Sequence, residues 1–299
     1  MSAPHAGFVT IVGRPNVGKS TLVNRLVGQK VAIVSDKPQT TRNRILAVMN
    51  RPGGQIVLFD TPGIHKPQHR MNERMVTAAV TSLASVDLAV WLVDATEGYG
   101  PGDRYVRDVI KKSRKPALLG INKIDALAKP RILPVIEQYR TLLDFVEVVP
   151  LSAKTGENVD LLADRLLQHL PEGPPLYPED FVSDRPERFF VAEMVREQLV
   201  RQTREELPYA TAVVIEAYRE EEKLVRIEAA ILVERESQKG IVIGKGGAML
   251  KAVGTAARRE IEAFLGGQVF LGLYVKVRED WREKEHTLDE VGLDRSKER

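Results

Sequence analysis

Short runs of apolar, often β-branched residues alternate through the first half of the chain with stretches whose apolar positions recur at helical spacing. Phe8-Val9-Thr10-Ile11-Val12 reads as a buried strand, and Ser20 to Val27 as a helix soon after it. Ile45 to Met49 and Gln55 to Phe59 read as a strand pair joined through the turn-forming Arg51-Pro52-Gly53-Gly54. Asp87 to Asp94, Pro116 to Ile121 and Phe145 to Val149 supply further strands. Gly102 to Lys112, Ile132 to Leu142 and Val159 to Leu170 supply helices between and after them. The alternation predicts an α/β domain with a mainly parallel six-stranded sheet covered on both faces.

Pro171-Glu172-Gly173-Pro174-Pro175-Leu176-Tyr177-Pro178 resists both helix and sheet and suits a semi-rigid linker. The expected organisation is a first domain over 1–170, a linker over 171–185 and a second domain over 186–299. In the second, Pro186 to Arg204 reads as a helix with Phe189, Phe190, Ala192, Met194, Val195 and Leu199 toward a core. Thr211 to Ala217 and Leu224 to Val233 read as strands, the second with Val225, Ile227, Ala229 and Ile231 on one face and Arg219 to Lys223 at the hairpin end. A glycine loop, Gly244-Lys245-Gly246-Gly247, precedes a helix from Ala248 to Phe264 and a strand from Gln268 to Val277. A helical tail from Glu279 ends in a charged segment.

Composition narrows the class. Length suggests two domains, and the charged and apolar fractions are those of a soluble globular protein. The chain has 0 cysteines, which excludes disulfides and thiolate chemistry. Met1 to Ala6 has neither a basic start nor an apolar core, which argues against a secretory leader. The apolar run Leu88 to Val93 is too short to span a bilayer. A net charge of +3 carries little, but its distribution does. From Ser237 to Arg259 there is no Asp or Glu, while Lys239, Lys245, Lys251, Arg258 and Arg259 fall there, a local basic stripe.

The chemistry starts at Gly13-Arg14-Pro15-Asn16-Val17-Gly18-Lys19-Ser20, which fits the phosphate-loop spacing between a strand and a helix. Gly13 and Gly18 let backbone amides curl inward as a nest, and the helix start points its positive end at the same place. Lys19 adds a charge for the β- and γ-phosphates, and the Ser20 hydroxyl is a Mg²⁺ ligand, with Thr21 following. The polar, aperiodic stretch Ser35 to Arg44 carries Thr40 and Thr41, either of which could join the metal when a γ-phosphate orders the loop. Asp60-Thr61-Pro62-Gly63 closes a strand, with Asp60 toward the metal and the Gly63 amide toward the γ-phosphate.

Base recognition is expected from Asn122-Lys123-Ile124-Asp125. A carboxylate at Asp125 accepts from guanine N1–H and the exocyclic amine, an arrangement adenine lacks, and the wrong base leaves it unpaired. Lys123 would lie over the base and Asn122 brace the loop. In Ser152-Ala153-Lys154 the Ala153 amide is expected to meet the guanine O6 oxygen.

These five motifs resemble the nucleotide boxes of the translation-factor-related GTPases. Gly13 to Ser20 and Pro38-Gln39-Thr40-Thr41-Arg42 resemble the Era-like branch most closely. Ile64 stands where Ras-like enzymes carry a water-orienting glutamine, and an aliphatic side chain cannot do that work. The Era-like branch shares the substitution. The resemblance implies catalysis through Lys19, Asn16, Thr40, Thr41 and Gly63, with Asn16 helping to hold a monovalent cation, K⁺, beside the phosphates.

The order helix, two strands, helix, glycine loop, helix, strand resembles an α+β type II KH domain. Gly244 to Gly247 is its loop, open to a sugar–phosphate backbone and charged by Lys245. Ile243 and Met249 are expected as an apolar floor beneath bases, Ile241-Val242 as a strand edge beside it, and Lys251, Arg258 and Arg259 as phosphate contacts. The whole arrangement implies a cytoplasmic, monomeric GTPase that binds GTP and GDP, the 3′ region of 16S rRNA and the small ribosomal subunit during assembly, with association at the inner membrane surface also known in the branch. An RNA-binding adaptor whose nucleotide only stabilises the fold is the alternative. A tandem-domain relative would need a second phosphate loop, and a tRNA-modifying relative usually ends in a cysteine; this chain has neither.

Overall fold

The structure, a computed structural model, describes residues 3–35, 37, 40–65, 67 and 69–293. Pro38, Gln39 and the charged end 294–299 lie outside the described residues. Six strands form the first sheet: β1 (His5–Val12), β2 (Ile45–Arg51), β3 (Gly54–Asp60), β4 (Leu88–Asp94), β5 (Ala117–Asn122) and β6 (Phe145–Pro150). Their order is β2-β3-β1-β4-β5-β6. Only β2 runs antiparallel, paired with β3 across the expected turn, and every other neighbour is parallel.

Helices cover both faces: α1 (Lys19–Val27), α2 (Arg70–Ala84), α3 (Pro101–Ser113), α4 (Ile132–Arg140) and α5 (Val159–Gln168). Leu22, Val23 and Leu26 of α1 and Leu162, Ala163 and Leu166 of α5 pack on one side against Val9, Ile11, Leu58 and Val90. Ala79, Leu83, Val106, Ile110 and Tyr139 pack on the other against Ala89, Trp91 and Val93. A strand buried on both faces must be apolar throughout, which is why β4 is buried at every position. Helix α2 had no counterpart in the expectations, although Met71, Met75, Ala79 and Leu83 recur four residues apart and are all buried.

The second unit contains α6 (Glu187–Gln202), the short α7 (Leu207–Ala210), β7 (Ala212–Glu220), β8 (Val225–Val233), α8 (Glu236–Ile243), α9 (Ala248–Leu265), β9 (Val269–Val277) and α10 (Glu285–Glu290). Its sheet has the order β7-β8-β9, with β7 antiparallel and β9 parallel to β8. Val191, Val195 and Leu199 of α6 and Val253, Ala257 and Ile261 of α9 pack on the inner face, against Ile227, Ala229 and Ile231. Part of the outer face, Ala230 and Leu232, is closed by Met71 and Met75 of α2 with Trp281 and Leu288.

The two units meet through polar groups as much as apolar ones. Arg42, buried, donates through Nη1 to the Thr211 carbonyl at 2.7 Å and through Nη2 to Pro208 and Tyr209 at 3.0 and 3.1 Å. Arg196 of α6, held by Glu193, donates to the Thr40 carbonyl, and Lys37 donates to the carbonyls of Val200 and Thr203 at the end of α6. Lys30, just past α1, pairs with the fully buried Glu197 at 2.6 Å and with Glu260 of α9 at 2.7 Å. For this reason α6 is buried nearly all round, including Arg196, Glu197 and Gln198.

Candidate nucleotide site and nucleic-acid cleft

The unit β1–loop–α1 sets the first site. A Cβ on Gly13 would lie 2.4 Å from the Leu92 carbonyl oxygen, and Gly18 opens α1 at a left-handed φ of 96°. Lys19 is buried and donates to the carbonyls of Gly13 at 3.2 Å and Arg14 at 2.8 Å. Burial lowers its pKa to about 8, with the Asp60 charge opposing the shift.

Asp60, at the end of β3, is fully buried. Burial raises its pKa to about 6 against hydrogen bonds from Ser20 and Thr41 and the charge of Lys19. The Ser20 hydroxyl donates to Asp60 Oδ2 at 2.8 Å, and Thr41 Oγ1 lies 2.6 Å from Ser20 Oγ. Asp60 Oδ1 is buried without a hydrogen-bond partner. Two hydroxyls and an unsatisfied carboxylate oxygen make a hard, oxygen-only donor set that fits a small divalent cation such as Mg²⁺. Of the two threonines, Thr41 is the one placed here; the Thr40 hydroxyl turns back to donate to the Lys37 carbonyl at 2.7 Å.

Gly63 touches the phosphate loop so closely that a Cβ would lie 2.8 Å from the Pro15 nitrogen. The next amide, of Ile64, donates to the Gly13 carbonyl at 3.1 Å, and the Ile64 side chain is fully buried in the core, away from the site.

Asn122 ties three loops together. Its Nδ2 donates to the Val17 carbonyl at 2.7 Å, and its Oδ1 accepts from the Ala153 amide at 2.9 Å. The Ala153 amide, expected to meet the guanine O6 oxygen, donates here to Asn122, and Ala153 lines the same cavity as Asn122. Lys123 stands at φ 67° with Nζ 2.5 Å from Asp94. Burial pushes Asp94 up, but hydrogen bonds from Lys123 and Thr96 outweigh it and hold the carboxyl below its usual range. Asp125 is exposed and lines the same cavity.

That cavity, about 650 Å³, gathers Pro15, Asn16, Gly18, Lys19, Ser20, Thr21, Thr40, Thr41, Gly63, Asn122, Lys123, Asp125, Ala153 and Lys154 from separate loops. Gly13, Val17, Asp60, Thr61, Pro62 and Ser152 are not on its lining; Thr61 donates to the Ile11 carbonyl at 2.9 Å. The Arg14 side chain turns away from the cavity: its Nε lies 3.0 Å from buried Asp103 and its Nη2 donates to Glu97 at 2.8 Å, so it clamps the loop from outside. Ile33, Val34, Ser35, Glu97 and Ala126 line the cavity without having been singled out. Nothing in their residue types marks them, because the loop path alone brings them there.

A second cavity, about 430 Å³, lies beside the glycine loop between α9 and β9. Gly244, Gly246 and Gly247 take positive φ of 74°, 58° and 81°, which side chains resist. Gly247, Lys251 and Arg258 line the cleft as expected residues, with Lys245 exposed beside it. Its other walls are Leu250, Gly254, Thr255, Leu271 and Leu273. Ile241 and Val242 form the last turn of α8 rather than a strand edge, and Ile241, Ile243 and Met249 do not line the cleft. Met249 packs against the core. The cleft's apolar walls are Leu250 on α9 and Leu271 and Leu273 on β9, the last two marked by that strand's two-residue alternation.

A phosphate-loop GTPase unit joined to a KH-type unit is the class this geometry defines. A family model for 50S ribosome-binding GTPases matches residues 8–123, and one for the KH domain matches residues 206–282. The crystal structure of an Aquifex aeolicus Era variant bound to GDP and AlF4⁻ is 42% identical with a TM-score of 0.94, covering 97% of this chain and 100% of that one. Era in complex with MgGDPNP and nucleotides 1506–1542 of 16S ribosomal RNA is 42% identical with a TM-score of 0.95, covering 98% of this chain and 100% of that one. The chain belongs to the Era family of GTPases.

With its pKa lowered to about 8, Lys19 loses its proton in the empty site as the pH rises through 8, whereas bound phosphates favour the cation. Nucleotide binding should therefore take up protons above pH 8. At pH about 8.5, titration of Mg²⁺-free GDP in buffers of differing ionisation enthalpy is expected to record net proton uptake, a fraction of a proton per nucleotide. The uptake shrinks toward pH 7 and disappears in Lys19→Arg; its absence from the wild type at the higher pH contradicts the assignment.

Proposed function

We propose that the chain is a GTP-hydrolysing switch whose nucleotide state controls binding to the 3′ end of 16S rRNA, and so to the small ribosomal subunit during its assembly. The observation that carries this is the contact of residues 40–42 with the KH-type unit: the segment that places Thr41 beside Ser20 and Asp60 also sends Arg42 into the carbonyls of 208, 209 and 211. A loop reordered by the γ-phosphate would have to strain or re-form those bonds.

In this account the phosphate-loop amides and Lys19 bind the phosphates, and the Gly63 amide donates to the γ-phosphate. Ser20, Thr41 and Asp60 would hold Mg²⁺, which neutralises phosphate charge when bound. Asp125 selects guanine, with Lys123 along the base and Asn122 bracing both loops. Asn16, at φ 64° and on the cavity wall, would help hold K⁺ against the phosphates in place of the missing glutamine. Hydrolysis should then run faster in potassium than in sodium buffer, and equal rates exclude that role. The glycine loop and the cleft floored by Leu250, Leu271 and Leu273 take single-stranded RNA, with Lys245, Lys251 and Arg258 on its phosphates.

The direct test is the affinity of an RNA spanning 16S nucleotides 1506–1542, the segment held by the Era relative, in the presence of GDPNP and of GDP. Wild type is expected to differ by at least about fivefold between the two nucleotides, the lower end of ordinary coupling. Arg42→Ala should bring the two affinities closer, to within about twofold, since it removes the bonds that tie the residue next to Thr41 to the carbonyls of 208, 209 and 211. Equal affinities in the wild type would defeat the proposal.

A further inference from the structure

We propose a second, stacking subsite for single-stranded RNA, formed by Phe270 and Arg226 on the outer face of the KH-type sheet, which receives the strand as it leaves the cleft across the edge of β9. The inference rests on the cleft being an RNA site.

β9 is the edge strand of its sheet, and its alternation serves two surfaces. Leu271 and Leu273 face inward and floor the cleft. Phe270, Gly272 and Tyr274 face the other way. Tyr274 packs with the cluster under α2, but Phe270 is 46% exposed, at the open end of that face. The register of β8 and β9 sets Arg226 directly beside it. The Arg226 guanidinium carbon stands 4.5 Å from the ring centroid, and its Nε donates to Glu221 at 2.9 Å, which holds the planar group over the ring. At Gly272 the next outward position is bare, and a Cβ there would find only the Phe270 ring edge at 3.5 Å and, at 3.7 Å or beyond, the Glu228 side chain and a backbone oxygen.

The guanidinium covers one face of the Phe270 ring, and a base can stack on the other face of the ring or on the outer side of the guanidinium itself. A protein partner would want a wider apolar patch than one phenyl ring among ion pairs. Arg226 is held by Glu221, while Arg219, exposed on β7, stands across the ladder from it. What the Phe270 ring adds is stacking. Phosphate contacts sit in the cleft, where Lys251 and Arg258 lie. A strand spanning both would show salt dependence from the cleft and a salt-insensitive gain from the ring.

The test uses the full-length protein with GDPNP and the RNA of nucleotides 1506–1542 shortened stepwise from each end, read by fluorescence anisotropy. In the wild type one truncation should remove a discrete step in affinity of about tenfold, the size expected for one stacked base. Phe270→Ala should lose the same step on the longer RNA and nothing on the shorter, Phe270→Tyr should retain it, and the step should not change with salt. An equal loss at every length, or no loss at any, overturns the platform. Gly246→Asp, which places an acid at a left-handed position of the glycine loop, should weaken every RNA alike. If the wild type binds none of these RNAs, the RNA assignment of the cleft fails and the platform with it; binding that is intact but insensitive to Phe270 defeats the platform alone.

Discussion

A guanidinium buried between two folded units must find acceptors, and the position of Arg42 follows from that requirement. Its partners are the backbone carbonyls of residues 208, 209 and 211, where the end of α7 leaves acceptors unsatisfied by the helix itself. Burial and the neighbouring Arg196 both act against its charge. Each charged hydrogen bond contributes about 1.5–3 kcal/mol, an orphaned carbonyl costs about 1–3 kcal/mol, and an orphaned guanidinium costs more. The loop carrying Arg42 therefore cannot move freely while the KH-type unit stays in place.

From that constraint the rest is connected in short steps. One residue before Arg42, Thr41 meets Ser20 and Asp60; one further back, the Thr40 carbonyl accepts from Arg196. Past α1, Lys30 reaches Glu197 on α6 and Glu260 on α9, the helix that opens at the glycine loop. The Thr40 carbonyl and Lys30 thus both meet α6, and Lys30 also meets α9, one wall of the cleft beside the glycine loop. An apolar interface would hold the units together as well, but it would be less sensitive to a shift of an ångström or two, because hydrogen bonds are directional.

Much of the nucleotide site was legible in the sequence because its chemistry depends on residue type at short spacing. Gly13 to Ser20, Asp60 to Gly63 and Asn122 to Asp125 each carry their own local logic. The sheet was legible through its apolar runs. Helix α2 went unseen even though Met71, Met75, Ala79 and Leu83 keep helical spacing, because no catalytic motif drew attention to it. The interface was hidden for a different reason. Arg42, Arg196, Glu197 and Lys30 are polar, and polarity along a chain looks like solvent until a second unit is laid over it. The choice between Thr40 and Thr41, the outward turn of Arg14 and the bond taken up by the Ala153 amide are matters of loop path, which spacing does not encode. Leu271 and Leu273 carry the alternation of a strand, but only the packing of β9 beside α9 shows that they line the cleft with Leu250.

The central claim is that loop 40–44 and the segment 203–211 behave as one body that answers to the γ-phosphate. Amide hydrogen exchange read by mass spectrometry, comparing Mg²⁺–GDP with Mg²⁺–GDPNP, observes both segments at once. Protection is predicted to change in 40–44 and in 203–211 together. A change confined to 40–64, with 203–211 exchanging alike in both states, would contradict it.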